Sequence, residues 1–184
     1  LVNAVGDVIV VLASQYWGQK RTEPIRALSS IGLRLGLGIA VVLFALVSIF
    51  PNGTLRIFTN DEEVIAEGVR YLRLIRFTYP VFAATTVLLA TLRSVETVRV
   101  ALVVSVCTLL VNCSINYLLI GGNFGAPELG VTGAAIGTLT ARCLELVIVV
   151  CYLVFRDRKL GLRVRDYLRW NRALAKDYIR VGIP

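Results

Sequence analysis

The sequence predicts an all-α fold, a polytopic bundle of membrane-spanning helices. Three observations carry that prediction: an excess of apolar residues, a series of apolar runs of spanning length, and basic residues that gather on alternate connections. Of the 184 residues, 57% are hydrophobic and 17% charged, whereas soluble domains run at about 45–50% and about 25%. That surplus requires an apolar solvent.

A spanning helix needs about 20 mostly apolar residues. Four windows meet this length: Ile31–Phe50, Leu74–Leu92, Val100–Ile120 and Val131–Phe155. A fifth, Leu1–Trp17, reads as the tail of a span cut at its start. The chain begins with Leu1 and contains no Met, so both ends are expected to be cuts in a longer polypeptide. The runs are too long, and their polar residues too irregular, for the alternating pattern of barrel strands. No segment has the basic start and small-residue cleavage site of a signal peptide.

The connections give sidedness. The first carries Lys20, Arg21 and Arg26 against Glu23, and the third is a tight turn with Arg93 and Arg99 around Glu96. The fourth, Gly121 to Gly130, has no basic residue. The fifth is a tail in which nine of the twenty basic residues lie between Arg156 and Arg180. Basic excess on the first, third and fifth connections places 18–30, 93–99 and 156–180 in the cytoplasm of a plasma-membrane protein. The second connection, with Arg56, Arg70 and Arg73 among four acids, fits this count least well.

Two connections carry helix signals. Asn60 or Asp61 caps a helix whose first turn holds Glu62 and Glu63, acids at the positive end of its dipole. That helix leads into the next span, where Pro80 predicts a kink. In the tail, Leu160, Val164, Tyr167, Leu168, Leu174 and Tyr178 fall near helical spacing, with Arg163, Arg165, Arg169, Arg172 and Lys176 largely on other faces. This pattern suits an amphipathic helix lying on an anionic leaflet; the alternative is a solvated basic linker.

Composition also excludes functions. The net charge of +8 sits at a membrane flank, which argues against nucleic acid as a partner. The chain has no His, and Cys107, Cys113, Cys143 and Cys151 lie in apolar runs without close pairing, so a zinc site or His-based triad has no raw material. The cysteines read as buried, reduced thiols. Gly121, Gly122 and Gly125 make a flexible loop, not a phosphate cradle, since no strand precedes them and no GK[ST] follows. The reading is of a protein that is not an enzyme and has no resident cofactor.

Polar groups at membrane depth are costly, which points to function or to helix–helix adhesion. Asn112 and Asn116, at i and i+4, share one helix face. Their carbonyls suit Na⁺ or a proton relay, with interhelical hydrogen bonding as the plainer role. Asp7 faces the interior or lies near the outer end of its truncated span. Arg142 and Glu145, at i and i+3, can pair and so lower the burial cost, or Glu145 can be a protonation site. Thr132 and Thr138 add hydroxyls on the same helix, although Thr often bonds back to its own backbone. The small residues Gly130, Gly133, Ala134, Ala135, Gly137 and Ala141 favour close helix approach, as Gly32, Gly36 and Gly38 could earlier. Arg34 reads as a flank that snorkels to the cytoplasmic interface.

Several segments together resemble a known family. Ala13-Ser14-Gln15-Tyr16-Trp17-Gly18-Gln19-Lys20 resembles the end of the second helix of the multidrug and toxic compound extrusion (MATE) transporters. Phe58-Thr59-Asn60-Asp61-Glu62-Glu63-Val64, followed by Tyr71-Leu72-Arg73, is similar to the start of their fourth. Asn112 to Gly121 looks like the fifth helix, Gly125 to Thr138 like the fifth loop and sixth helix, and Gly182-Ile183-Pro184 like the start of the seventh. The pieces occur in family order along nearly the whole chain.

The resemblance implies a partial N-terminal lobe of a 12-helix transporter. Residues 1–155 would hold helices two (truncated) to six, 156–180 a cytoplasmic linker helix, and 181–184 the start of the C-terminal lobe. It also implies a coupling site in this lobe, formed by an Asp of the absent first helix with polar residues of the fifth. Asn112 resembles the family's Asn there, and Asn116 sits where relatives carry either a carboxylate or Asn, leaving Na⁺ versus H⁺ open. The network expected here is Asn112, Asn116, Thr132, Asp7 and Glu145, with Tyr79 and Phe82 as guesses for the substrate cavity. The function implied is secondary active efflux of cationic amphipathic compounds, with membrane lipids and the C-terminal lobe as partners. A lipid or polysaccharide flippase would require a markedly cationic cavity, whereas Arg142 and Arg76 are the basic residues at depth. A non-transporting scaffold would leave the aligned amides without a purpose.

Overall fold

The computed structural model describes residues 2–157, 159–161 and 172–182. Among them every regular element is helical: α1 (Val2–Gly18), α2 (Thr22–Ile49), α3 (Pro51–Arg56), α4 (Glu62–Ile75), α5 (Thr78–Ser94), α6 (Val98–Ile120), α7 (Gly130–Phe155) and α8 (Arg172–Gly182). Helices α2, α6 and α7 are each long and apolar enough to cross a membrane, and α4 with α5 forms a bent pair that can make a fourth crossing. In α1, 17 residues long, Val5, Val8, Ile9 and Ala13 are buried against the bundle.

The expected single span Leu74–Leu92 is broken near its start: α4 ends at Ile75 and α5 begins at Thr78, with a bend of 51° between them. Its cause is Pro80. A proline lacks the amide hydrogen and its ring collides with the carbonyl four residues back, here that of Arg76. The chain bends there: the Tyr79 amide takes the Arg76 carbonyl in a tight turn, and the Thr78 hydroxyl donates to the Ile75 carbonyl at 2.6 Å. Pro80 itself lies in the first turn of α5, where no intrahelical acceptor is lost. At the other end of α4 the capping expectation resolves onto Asp61, whose Oδ1 accepts from the amides of Glu63 at 2.9 Å and Val64 at 3.4 Å. Helix α3, with Pro51 in its first turn, was not foreseen within that connection.

Packing divides the bundle into two parts. Helices α1, α2 and α5 pack on one another, α6 packs on α7, and α5 and α4 both touch α7. The first part is dry: Ile9, Ala13, Ile25, Leu28, Val87 and Ala90 are fully buried. Its polar residues bond one another, Thr91 Oγ1 lying 3.0 Å from Ser29 Oγ and donating back to the Val87 carbonyl. Gly6 and Gly36 let α5 close on α1 and α2, whereas Gly38 meets nothing within 4 Å.

The described part of the tail lies on this first part. Arg26 Nε donates to the Leu160 carbonyl at 2.7 Å, and Lys159 Nζ donates to the Val95 carbonyl at 2.8 Å while standing over the Trp17 ring. Helix α8 buries Ala175 and Tyr178 against α1 and α2 and leaves Lys176, Asp177 and Arg180 exposed. The Tyr178 hydroxyl donates to the Val5 carbonyl, and burial pushes its pKa up. Amphipathicity is thus present in α8, but its apolar face meets protein. Arg163, Val164, Arg165, Tyr167, Leu168 and Arg169 lie outside the described residues.

The cysteines differ from expectation. All four are free thiols, but Cys113, Cys143 and Cys151 are exposed and Cys107 half-buried. Cys113 thus lies on an exposed face of α6, and Cys143 and Cys151 on exposed faces of α7.

Candidate functional site

The α6–α7 seam is set by two glycines one helical turn apart. A Cβ on Gly137 would stand 2.3 Å from Asn116 Oδ1, and one on Gly133 would stand 2.7 Å from the Leu119 carbonyl oxygen. This is the small-xxx-small contact that lets membrane helices approach closely. The connection reinforces it: the Leu129 amide donates to the same Leu119 carbonyl at 2.8 Å, and Gly122 turns the chain with φ of 64°.

Toward the middle of the helices the seam opens into a cavity of about 350 Å³ lined by Ser105, Thr108, Leu109 and Asn112 of α6 and by Thr138, Ala141, Arg142 and Glu145 of α7. Both sets follow i, i+3, i+4, i+7 spacing, so each is one helix face. A lone charge at the centre of a spanning helix costs about 2.5–3.5 kcal/mol on insertion scales. Here Arg142 Nη1 donates to Glu145 Oε2 at 2.7 Å. The pair is unequal: the Arg142 side chain is 39% exposed and that of Glu145 10%. Phe82 of α5 lies under the guanidinium, 4.8 Å from the ring centre.

The two asparagines are bonded to each other. Asn116 Nδ2 donates to Asn112 Oδ1 at 3.0 Å. That leaves Asn116 Oδ1 buried without a donor among the described residues, facing the space where Gly137 lacks a side chain. Asn112 reaches the cavity, with its carbonyl oxygen engaged by Asn116.

Of the residues expected from the sequence, the structure therefore brings Asn112 and Glu145 to one cavity, with Asn116 bonded to Asn112 and Phe82 against the Arg142 guanidinium. Thr132 lies in the first turn of α7, more than one turn from that lining, where its amide bonds the Leu129 carbonyl. Asp7 is exposed on α1, a helix packed against α2, α5 and α8. Tyr79 is half-buried at the start of α5, almost one turn before Phe82. Ser105 and Thr108 were missed, although their spacing from Asn112 was readable as one face. The second basic residue at depth, Arg76, is elsewhere. It bonds Ser48 Oγ at 3.1 Å and stacks over Phe44 and Phe77 at the α4–α5 bend.

Comparison with known proteins agrees with this architecture. The MatE family model matches residues 5–118. The probable multidrug resistance protein YoeA of Bacillus subtilis is 31% identical over 98% of this chain and 39% of its own length. The probable multidrug resistance protein NorM of Streptococcus pneumoniae is 27% identical over all of this chain and 40% of its own length. Among solved structures, an inward-facing multidrug resistance MATE family transporter of the MOP superfamily superposes with a TM-score of 0.87 at 21% identity, over 100% of this chain and 41% of that one. The chain thus spans about 40% of the length of the curated relatives it matches.

Proposed function

This chain belongs to the MatE family of integral membrane transporters, and on that premise we propose that it supplies most of the first lobe of a secondary active efflux transporter. A Na⁺ or H⁺ gradient drives export of cationic amphipathic compounds across the plasma membrane, with the basic connections at 18–30 and 93–99 and the tail at 156–180 on the cytoplasmic side. A second lobe of the same polypeptide completes the path. The reading draws on the multidrug resistance names of the relatives. The observation that carries it to particular residues is the mid-membrane cavity between α6 and α7, with an amide pair and an ion pair on its walls.

Coupling requires an ion that binds two lobe arrangements with different affinity. The amides supply such a difference. Asn112 Oδ1 keeps a second lone pair beside its bond from Asn116, and Asn116 Oδ1 has both lone pairs unused. A Na⁺ bound to both must draw Asn116 Oδ1 away from Gly137, which alters the closest contact of the seam. For H⁺ coupling the corresponding group is Glu145, whose charge balances Arg142 across their 2.7 Å bond. Asp7 and Thr132 belong to this network only if the complete transporter brings further groups to them. A flippase is less well supported, because the cavity pairs its one cation with one anion.

The test uses the full-length protein in cells. Efflux of a cationic dye is followed under imposed Na⁺ and pH gradients for the wild type, Asn112→Ala and Asn116→Ala. Both variants are expected to lose most gradient-driven efflux at unchanged abundance. Efflux indifferent to both substitutions removes the site, and efflux indifferent to both gradients removes the coupling.

A further inference from the structure

We propose that the α6–α7 cavity also binds a small amphipathic anion, a carboxylate on an apolar body, with Arg142 as the residue that receives the charge. The accessible half of the ion pair is the cation, because Glu145 is buried behind it. The guanidinium has five N–H donors, and among the described residues its bond to Glu145 uses Nη1 alone, so one edge of the fork remains for a second carboxylate. Phe82 beneath the plane fixes its orientation. Asn112, on the same cavity wall, carries an amide nitrogen that can serve as a further donor. Leu109 and Ala141 supply apolar wall.

Size and depth narrow the ligand. A volume of about 350 Å³ is at the small end of ligand pockets, which run about 300–1,000 Å³, and it accommodates a two-ring acid. The lining begins seven residues or more from the ends of α6 and α7, or about 10 Å at about 1.5 Å per residue, and Arg142 lies twelve residues from the nearer end of α7. That depth is beyond a lipid phosphate at the interface. The binding site stands apart from the efflux reading, which gives the exported compound a positive charge; the two share only the cavity.

The experiment measures binding of 2-naphthoate, 2-naphthylmethanol and 2-naphthylmethylammonium to purified full-length protein by fluorescence anisotropy. Naphthoate is expected to bind about tenfold more tightly than the alcohol, and the ammonium no better than the alcohol. Arg142→Gln should abolish the preference and Arg142→Lys should reduce it several-fold. Glu145→Gln, which frees the whole fork, should strengthen naphthoate binding. That gain separates a ligand role from a merely structural pair. Equal binding of the three probes, a preference for the ammonium, or a naphthoate preference that survives Arg142→Gln overturns the proposal. Should Arg142→Gln fail to fold, Glu145→Gln decides: weakened or unchanged naphthoate binding overturns it. Absence of gradient-driven cationic-dye efflux by the wild type, with Arg142-dependent naphthoate binding intact, would remove the efflux reading and leave this site standing.

Discussion

The two halves of the bundle treat polar residues at membrane depth in opposite ways. Between α2 and α5, Ser29 and Thr91 are fully buried, bonded to one another, and surrounded by apolar side chains in contact. Between α6 and α7, polar groups on matching faces surround a cavity, one amide oxygen has no donor, and an arginine stands partly open. Hydroxyls that satisfy one another hold helices together. Groups whose hydrogen-bonding capacity is left over have something to give a ligand. Both arrangements come from similar sequence, a few polar residues in a long apolar run, so residue type alone does not separate adhesion from site.

Breaking the ion pair should have the largest effect on stability. Arg142→Ala leaves Glu145 buried and unpaired; losing one partner of a fully buried pair costs about 3–5 kcal/mol, and the 39% exposure of the Arg142 side chain sets the cost here toward the lower end. Replacing both residues, Arg142→Met with Glu145→Met, should be close to neutral in thermal denaturation while removing function. Equal destabilisation by the single and double changes would make the pair structural and weaken the contrast. Next comes the seam: Gly133→Ala drives a Cβ into the Leu119 carbonyl, a backbone atom held by the Leu129 amide, with overpacking of about 1–3 kcal/mol. The melting temperature should fall more for Gly133→Ala than for Gly137→Ala, where the obstructing atom is a side chain that can turn. The smallest effect belongs to the dry half. Thr91→Val removes the interhelical bond with Ser29, worth about 0.6 kcal/mol on average within membranes, and should leave efflux unchanged.

Much of the fold was legible because a membrane imposes length. Helices α2, α6 and α7 fall where apolar runs of spanning length predicted them, and Asp61 caps α4 because its side chain is short and acidic before two more acids. The break at Arg76 was legible as a kink but was expected nearer Pro80, since the proline acts on a carbonyl four residues away. The site was half legible. Asn112 with Asn116 and Arg142 with Glu145 are contacts within a helix, which sequence spacing gives directly. That these two pairs border one cavity depends on the register between α6 and α7, and Gly133 and Gly137 fix that register against particular atoms of α6. Phe82 reached Arg142 through tertiary packing alone. Asp7 and Thr132 were drawn in by residue type; Thr132 lies thirteen residues before Glu145 on one helix, a separation readable from spacing, whereas the place of Asp7 depends on tertiary packing.

The contrast between the halves is tested most directly by one efflux measurement on the full-length protein. Gradient-driven dye export would be compared between an Asn112→Ala/Asn116→Ala double variant and a Ser29→Ala/Thr91→Val double variant of equal abundance. The expected result is loss of coupled export in the first and near wild-type export in the second. Loss in the second with retention in the first would contradict the assignment of the α6–α7 seam as the working half.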